Sequence, residues 1–589
     1  MKQFFKTVFA STLGVLVATG ILVLASICVI VGIAASSSGT TAYEPGKNTV
    51  FELKLNGSLS DQVAQNPFAE LMGEQNTGLS VTDIIKAIRK AKANDNIKGI
   101  YLNAGSLSGG FAGLEAIHRE LKDFKESGKF IVAYGDSYTQ GAYYLCSIAD
   151  SLFLNPQGTV GLVGLASQGL FYKGLAEKLG VEHYIFKVGT YKSAVEPFFL
   201  KKFSDANREQ LSSFLGSVWN NVTKTIVENR HIQADGLDRY MNEGLAIGDA
   251  SNALEYKLAD ALKYRYEVEN CIKAMAGQDG KGKLKTAGLG KVASIAEKTK
   301  DHKDKIAVLY AEGQIRDDDS SPFSMDDPVI SEKMAKELRK LKDDEKVKAV
   351  VFRVNSPGGS AYISEQIWKE VVELKAVKPI VVSMGDYAAS GGYYIACAAN
   401  KIVAEHTTLT GSIGVFGVIR NLTGTFEKVG VTTDIVKTNT YADLGDVSRP
   451  MREDEKALIQ HSVERTYDLF LTRCADGRGM SKAEIDSIGQ GRVWTGEQAL
   501  ERGLVDRLGG LDVAIEEAAR LADLTEYSVI AADAPKDFFT KFMEKKLEEA
   551  KISMVKNMLG DQYELFSILQ RAQTEEGIIA RMPFDIKGM

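Results

Sequence analysis

The strongest hydropathy feature of this chain is an unbroken apolar run near its start. From Thr7 to Ala35 no residue is charged; Lys2 and Lys6 precede the run, and the first acidic residue after it is Glu44. A helix needs about 20 apolar residues to cross the hydrocarbon layer. The pattern predicts a transmembrane signal-anchor over residues 7–35, with the positive residues 1–6 kept in the cytoplasm and the rest of the chain outside. Cleavage as a secretory signal at the small residues Ala34, Ala35 and Ser36 is the competing reading, although signal h-regions run only about 7–15 residues.

Beyond the anchor the pattern changes. Short β-branched runs such as IAVLYAEG, VKAVVFRV and KPIVVSMG alternate with helical stretches such as SEKMAKELRKLKDDE and SEQIWKEVVELKA. That alternation predicts βαβ units and a layered α/β fold of mostly parallel strands, with functional loops at the C-terminal ends of the strands.

The pattern also occurs twice. IKGIYLNAGSLSGG (Ile97 to Gly110) matches VKAVVFRVNSPGGS (Val347 to Ser360), and Gly128 to Asp150 matches Val377 to Asn400. Gly109 lies 250 residues before Gly359, and Tyr144 the same distance before Tyr394. GTVGLVG (Gly158 to Gly164) corresponds to GSIGVFG (Gly411 to Gly417), and FKVGTYKSA (Phe186 to Ala194) to VKTNTYADL (Val436 to Leu444). Two tandem copies of one domain are expected, over residues 48–276 and 305–524. The glycine- and lysine-rich stretch 277–304 reads as a mobile linker or exposed hinge. Residues 525–589 read as a tail, with an amphipathic helix after Pro535 that docks on its own protein.

Composition narrows the class without fixing it. With 589 residues, 44% hydrophobic, 25% charged and 11 prolines, the chain has the makeup of a folded globular protein. A net charge of −6 lacks the basic footprint of a nucleic-acid binder. The five cysteines form no C-x-x-C pair and the six histidines no metal-ligand cluster, so neither a disulfide framework nor a metal site is expected.

The segment PIVVSMGDYAASGGYYIACAA carries Ser390 from a buried strand through a small-residue turn to the start of a helix. A serine there ordinarily caps the helix. Flanked by Gly391 and Gly392, it also lets a reacting carbonyl approach backbone amides that stabilise negative charge. NSPGGS, Asn355 to Ser360, directly follows a strand, and its glycine amides can aim at one oxygen as in an oxyanion hole; a plain turn after Pro357 is the ordinary alternative.

A serine nucleophile needs a base. There is no G-x-S-x-G elbow, and His406 leaves a Ser/His pair open with nothing in its segment to support one. The duplication points to lysine. The place of Ser390 is taken by Gln140 in the first copy and the place of Lys192 by Ala442 in the second, so each copy keeps one reactive group and lacks the other. A solvated surface charge is the common fate of a lysine. To act as a base near neutral pH, Lys192 must be held well below about 10.4, which burial in an apolar setting achieves. Tyr191, Ala194, Val195, Pro197, Phe198 and Phe199 offer that setting, and Ser193 and Ser412 are candidate hydroxyls to orient the amine.

Taken together, YKSAVEPF (Tyr191 to Phe198), NSPGGS, YAASGGYY (Tyr387 to Tyr394), GSIGVFG and GRVWTGEQALERGLVD (Gly491 to Asp506) resemble the signal peptide peptidase A family, also called protease IV, in its long tandem form. The resemblance implies a Ser/Lys-dyad serine endopeptidase on a fold like that of the caseinolytic-protease and crotonase superfamily. It implies Ser390 as nucleophile, Lys192 as general base and acid, Ser412 as the group that positions the lysine, and the Gly358, Gly359 and Gly391 amides as the oxyanion hole. It also implies no metal and no cofactor, a homotetramer, and hydrophobic peptide substrates such as remnant signal peptides. The catalytic domains would lie on the outer, periplasmic side of a bacterial inner membrane. Two rivals remain at this stage: a crotonase-like acyl-CoA enzyme using similar paired amides, and a non-catalytic membrane scaffold in which Ser390 is only a cap and Lys192 only a surface charge.

Overall fold

The computed structural model describes residues 14, 42–63, 78–280, 282–296, 301–317, 328–532 and 577–581. In the first half, β1 (Thr49–Ser60), β2 (Ile97–Ser108), β3 (Phe130–Gly135) and β4 (Ser151–Leu154) lie side by side in that order, all parallel. The next strand, β5 (Glu182–Val188), leaves this sheet. The second half repeats the order with β6 (Lys305–Glu312), β7 (Val347–Ser356) running on into the short β8 (Gly358–Ser360), then β9 (Ile380–Ala389) and β10 (Lys401–Ala404). Beyond Ala404, β11 (Leu409–Gly411) pairs along the far end of β9. The expected α/β architecture with a duplicated parallel sheet is present.

Parallel strands are buried on both faces because their crossover helices cover both, and β7 illustrates the sequence logic. Val350, Phe352 and Val354 pack with Ile363, Ile367 and Val371 of the helix Ala361–Lys375. The intervening Ala349 and Val351 face the other way, against Ala514 and Ala518 of the helix Leu511–Leu521. Each large aliphatic side chain so buried contributes about 1.5–3 kcal/mol.

A third sheet joins the halves. Its order is Val329–Ile330, Gln314–Ile315, β8, then β13 (Gly577–Arg581), β12 (Val415–Asn421) and β5. β12 of the second half runs antiparallel to β5 of the first, from Val415 opposite Val188 to Asn421 opposite Glu182. Charged contacts reinforce the seam. Arg353 donates to both carboxylate oxygens of Asp61 at 2.8 Å, with both side chains buried. Arg119 donates to both oxygens of buried Glu405 at 2.9 Å, and Asp386 accepts from the Gly113 amide at 3.0 Å.

Two stretches differ from the sequence-based expectation. Within 277–304, Thr286–Ala287 pairs with β1, and the helix Leu289–Ala293 buries Val292 in the first-half core. Ala287, Val292 and Ile295, all in that core, suffice to dock this part of a glycine- and lysine-rich segment. The second half also extends past Leu524, since Ser528–Ala531 adds an edge strand beside β6. Among the described residues no helix is long and apolar enough to cross a membrane. The predicted anchor at 7–35, apart from Gly14, and the predicted helix after Pro535 lie outside the described residues.

Candidate active site

Ser390 is the single residue between the end of β9 at Ala389 and the helix Gly391–Ala396. Reversing the chain so tightly forces φ 56° and ψ −113°, a conformation that costs a non-glycine residue about 1–3 kcal/mol. Backbone bonds hold it there: its N–H donates to the Gly411 carbonyl at 2.8 Å, and its carbonyl accepts from the Tyr394 N–H at 2.8 Å. Although Ser390 occupies the N-cap position, its side chain makes no capping bond. Gly392 is obligatory next to it, because a Cβ there would come within 2.6 Å of the Ser356 carbonyl oxygen.

The Ser390 hydroxyl is turned instead to Lys192, whose Nζ lies 2.8 Å from Oγ, and both residues are 0% exposed. The amine also lies 3.0 Å from Ser412 Oγ and 3.1 Å from the Ser412 carbonyl oxygen. Burial alone pushes the amine well below its ordinary value. A neutral amine has one lone pair and two N–H groups. With the amine neutral, the three contacts can satisfy all of them, the Ser390 hydroxyl donating into the lone pair and the two N–H groups donating to the two Ser412 oxygens.

The loop that delivers Lys192 follows β5 and is docked on the second half. The Tyr191 N–H donates to the Gln490 carbonyl at 2.8 Å. Gln210, on the helix Asp205–Arg230, donates to the Tyr191 carbonyl at 2.9 Å and accepts from the Val493 N–H at 3.3 Å, so it bridges the lysine loop and the second half. Buried Glu196 accepts from the Asn207 side chain at 2.9 Å and the Ser204 amide at 3.2 Å, fixing the chain just after the lysine. Ser193, expected to help orient the amine, points elsewhere: its hydroxyl donates to the Tyr191 carbonyl and accepts from Gln210. Of the expected apolar neighbours, Val195 is fully buried in a cluster with Phe416 and Val418, and Ala194, Phe198 and Phe199 pack against it.

The glycines of NSPGGS are not equivalent. The Gly358 N–H donates to Ser356 Oγ at 3.1 Å. Gly359 has φ 154°, and a Cβ on it would come within 1.9 Å of the Ile315 carbonyl oxygen. Gly391 opens its helix, a position whose amide has no intrahelical acceptor.

In the first copy the corresponding place is plugged. Gln140 Oε1 accepts from the amides of Val163 at 2.8 Å and Gly164 at 2.7 Å, while its Nε2 donates to the Gly164 carbonyl. Ala442 sits in an exposed turn. His406 is occupied by Glu115 at 2.9 Å. Glu115, Glu405 and His406 come close enough together to suit a cation, yet Arg119 already chelates Glu405 and His406 faces Glu115.

Sequence reasoning brought together Ser390, Lys192 and Ser412 and missed the residues that seat them: Gln210, Glu196, Gln490 and the glycines Gly414 and Gly491. Gly491 opens a quoted motif, but nothing local in the sequence says which backbone it must approach.

A buried hydroxyl on a strained turn, 2.8 Å from a buried amine, has the arrangement of a nucleophile beside a base, and it fits the class of serine-type peptidases. Comparison with known sequences gives the same class. The chain belongs to peptidase family S49, which it matches over residues 123–279 and 372–525, one segment in each half. It is 40% identical over 493 residues to Protease 4 of Salmonella typhi, covering 81% of this chain and 78% of that one. It is 34% identical over 543 residues to Protease 4 of Haemophilus influenzae, covering 89% and 86%. To the chloroplastic serine protease SPPA of Arabidopsis thaliana it is 34% identical over 482 residues, covering 81% and 70%. The acyl-CoA enzyme and the inert scaffold fall with that membership.

Proposed function

We propose that this protein is a membrane-anchored endopeptidase that cuts apolar peptides, remnant signal peptides among them, with a dyad of Ser390 and Lys192. The observation that carries the reading is the 2.8 Å contact between Lys192 Nζ and Ser390 Oγ inside a fully buried site. Neutral Lys192 takes the hydroxyl proton as Oγ attacks the scissile carbonyl. The amides of Gly359 and Gly391 hold the oxyanion, Gly358 being engaged by Ser356. The resulting ammonium protonates the leaving amine. Lys192 then serves again as base, for the water that releases the acyl group from Ser390. Ser412 keeps the amine's two N–H groups occupied, so that its lone pair faces Ser390.

A protein of Enterococcus faecium described as a putative signal peptide peptidase is 36% identical over 227 residues, covering 38% of this chain and 66% of that one. The uncharged run from Thr7 to Ala35 supports a single-pass anchor in the cytoplasmic membrane, with both halves on its outer side.

Assembly as a homotetramer belongs to the same reading. β5 finds β12 within the chain, but the repeat counterpart of β5, at 432–438, is exposed, with Val436 99% accessible. Val163, in the counterpart of β12, is 62% accessible. Complementary exposed segments, one in each half, can make head-to-tail contacts, which close into a ring when the rotation allows. Val436→Asp is expected to yield monomers in light scattering.

The dyad is tested by measuring cleavage of an unstructured apolar peptide. Ser390→Ala and Lys192→Ala should each lose at least about a thousandfold in kcat, with Lys187→Ala near native. Near-native turnover by folded Lys192→Ala would remove lysine from the mechanism.

A further inference from the structure

Arg492 reaches Lys192 by two routes. Through its main chain it seats Ser412: the Arg492 carbonyl accepts from the Ser412 N–H at 2.7 Å and helps hold that residue at φ 49°, a conformation non-glycine residues seldom adopt. Ser412 in turn offers the two oxygens that lie 3.0 and 3.1 Å from Lys192 Nζ. Through its side chain Arg492 seats Tyr191, the residue before the lysine. The guanidinium lies over the Tyr191 ring, Cζ 4.6 Å from its centre, and Nη1 donates to the Tyr191 hydroxyl at 3.0 Å. That hydroxyl donates to Glu209 at 3.1 Å, and the Glu209 carboxylate pairs with the same Nη1 at 2.8 Å, which closes a triangle of three side chains. The guanidinium also lies over Trp494, 4.5 Å from the ring centre, and Trp494 Nε1 donates to the Ile488 carbonyl at 2.9 Å. A second-half residue thus grips the first-half loop that carries the amine.

We propose that Arg492 is a positioning residue, which clamps Tyr191 to the second half and so keeps Lys192 Nζ within reach of Ser390. The inference rests on the Ser/Lys dyad of the proposed function. The Lys192 side chain is wholly buried, and its amine goes where the loop puts its main chain. Tyr191 meets the second half twice, by its N–H on the Gln490 carbonyl and by its ring and hydroxyl on Arg492. Arginine suits the place because a planar guanidinium can rest on aromatic rings while donating within its own plane, whereas a lysine ammonium has charge and no plane. The Arg492 Nε–H is buried with no acceptor, so the fit is made to the two rings and to the Tyr191 hydroxyl rather than to every donor.

A double-mutant cycle on the full chain tests this, read as the rate at which a serine-directed fluorophosphonate labels Ser390. In the native background Arg492→Ala should slow labelling about 100-fold, the loss that an ångström of displacement brings. In a Lys192→Ala background the same change should cost less than about twofold, because a residue that acts through the lysine has nothing left to act on. An equal factor in both backgrounds would mark a merely structural role and overturn the proposal, as would a native rate in Arg492→Ala. Arg492→Lys keeps the charge and the aliphatic stem, and so covers the case of an alanine variant that does not fold. It should still lose about tenfold, the worth of a stacked cation expressed as a rate, and native labelling by it overturns the clamp. Failure of the dyad itself reads differently: Lys192→Ala alone would then label at the native rate, removing the dyad and the clamp together.

Discussion

Gly491 lies against the backbone of Lys192 so closely that a Cβ on it would stand 2.6 Å from the lysine nitrogen and 2.7 Å from its Cα and Cβ. Gly414 approaches the same side chain from another direction, 3.2 Å from Cδ by the same measure. The position of Lys192 is therefore set by glycines of the other half as well as by its own loop. Gly491, at φ 78°, is also in a conformation that favours glycine. Gly491→Ala should push Lys192 away from Ser390 and lower kcat by about 100-fold, the usual result of misplacing a reacting group by an ångström. Steady-state kinetics beside an unchanged circular dichroism spectrum would establish it, and native kcat would refute it.

Acid should silence the enzyme through Lys192. Burial lowers its pKa, so the amine is neutral above the folded value and an ammonium below it, and only the neutral form accepts the Ser390 proton. On the acid side kcat/KM should fall about tenfold per pH unit. Ser412→Ala removes an oxygen that favours the ammonium, so the limb should move to lower pH while the plateau drops. An acid limb that stays in place would mean that Ser412 does not contact the titrating group.

The seam between the halves should depend on the Arg353–Asp61 pair. Asp61→Ala leaves a guanidinium buried without its carboxylate, although Ser383 Oγ and the Met384 carbonyl still accept from it. Removing one partner of a buried pair costs about 3–5 kcal/mol. Urea denaturation should register a loss of that order, and a change below about 1 kcal/mol would show the pair to be solvated.

Backbone strain at Ser390 should be measurable as stability. Ser390→Gly and Ser390→Ala both remove the hydroxyl, but only glycine accepts φ 56° without penalty. The glycine variant should be the more stable of these two inactive proteins by about 1–2 kcal/mol. Equal denaturation midpoints would mean that the turn is not strained.

The sequence made the α/β class and the duplication legible because parallel strands buried on both faces read as continuous apolar runs, such as VKAVVFRV, and the runs recur at a constant offset. The same offset exposed the complementary loss at Gln140 and Ala442 and so paired Ser390 with Lys192. Less was legible where contacts are made across the seam. β5 pairs with β12 more than 200 residues away, and no local periodicity encodes such a partner. Ser193 and Ser412 both carried hydroxyls suited to the amine, and only the backbone turn at each decided between them. Gly358 and Gly359 are chemically identical in the chain, and the nearby Ser356 hydroxyl distinguishes them. Thr286 to Ile295 read as linker because composition averages over the few apolar side chains that dock it.

On the proposed dyad one half supplies the amine and the other the hydroxyl, which would place catalysis in their docking rather than in either core. Loosening that docking should abolish turnover while both sheets remain folded, so inactivation will come at milder denaturant than the loss of helical signal.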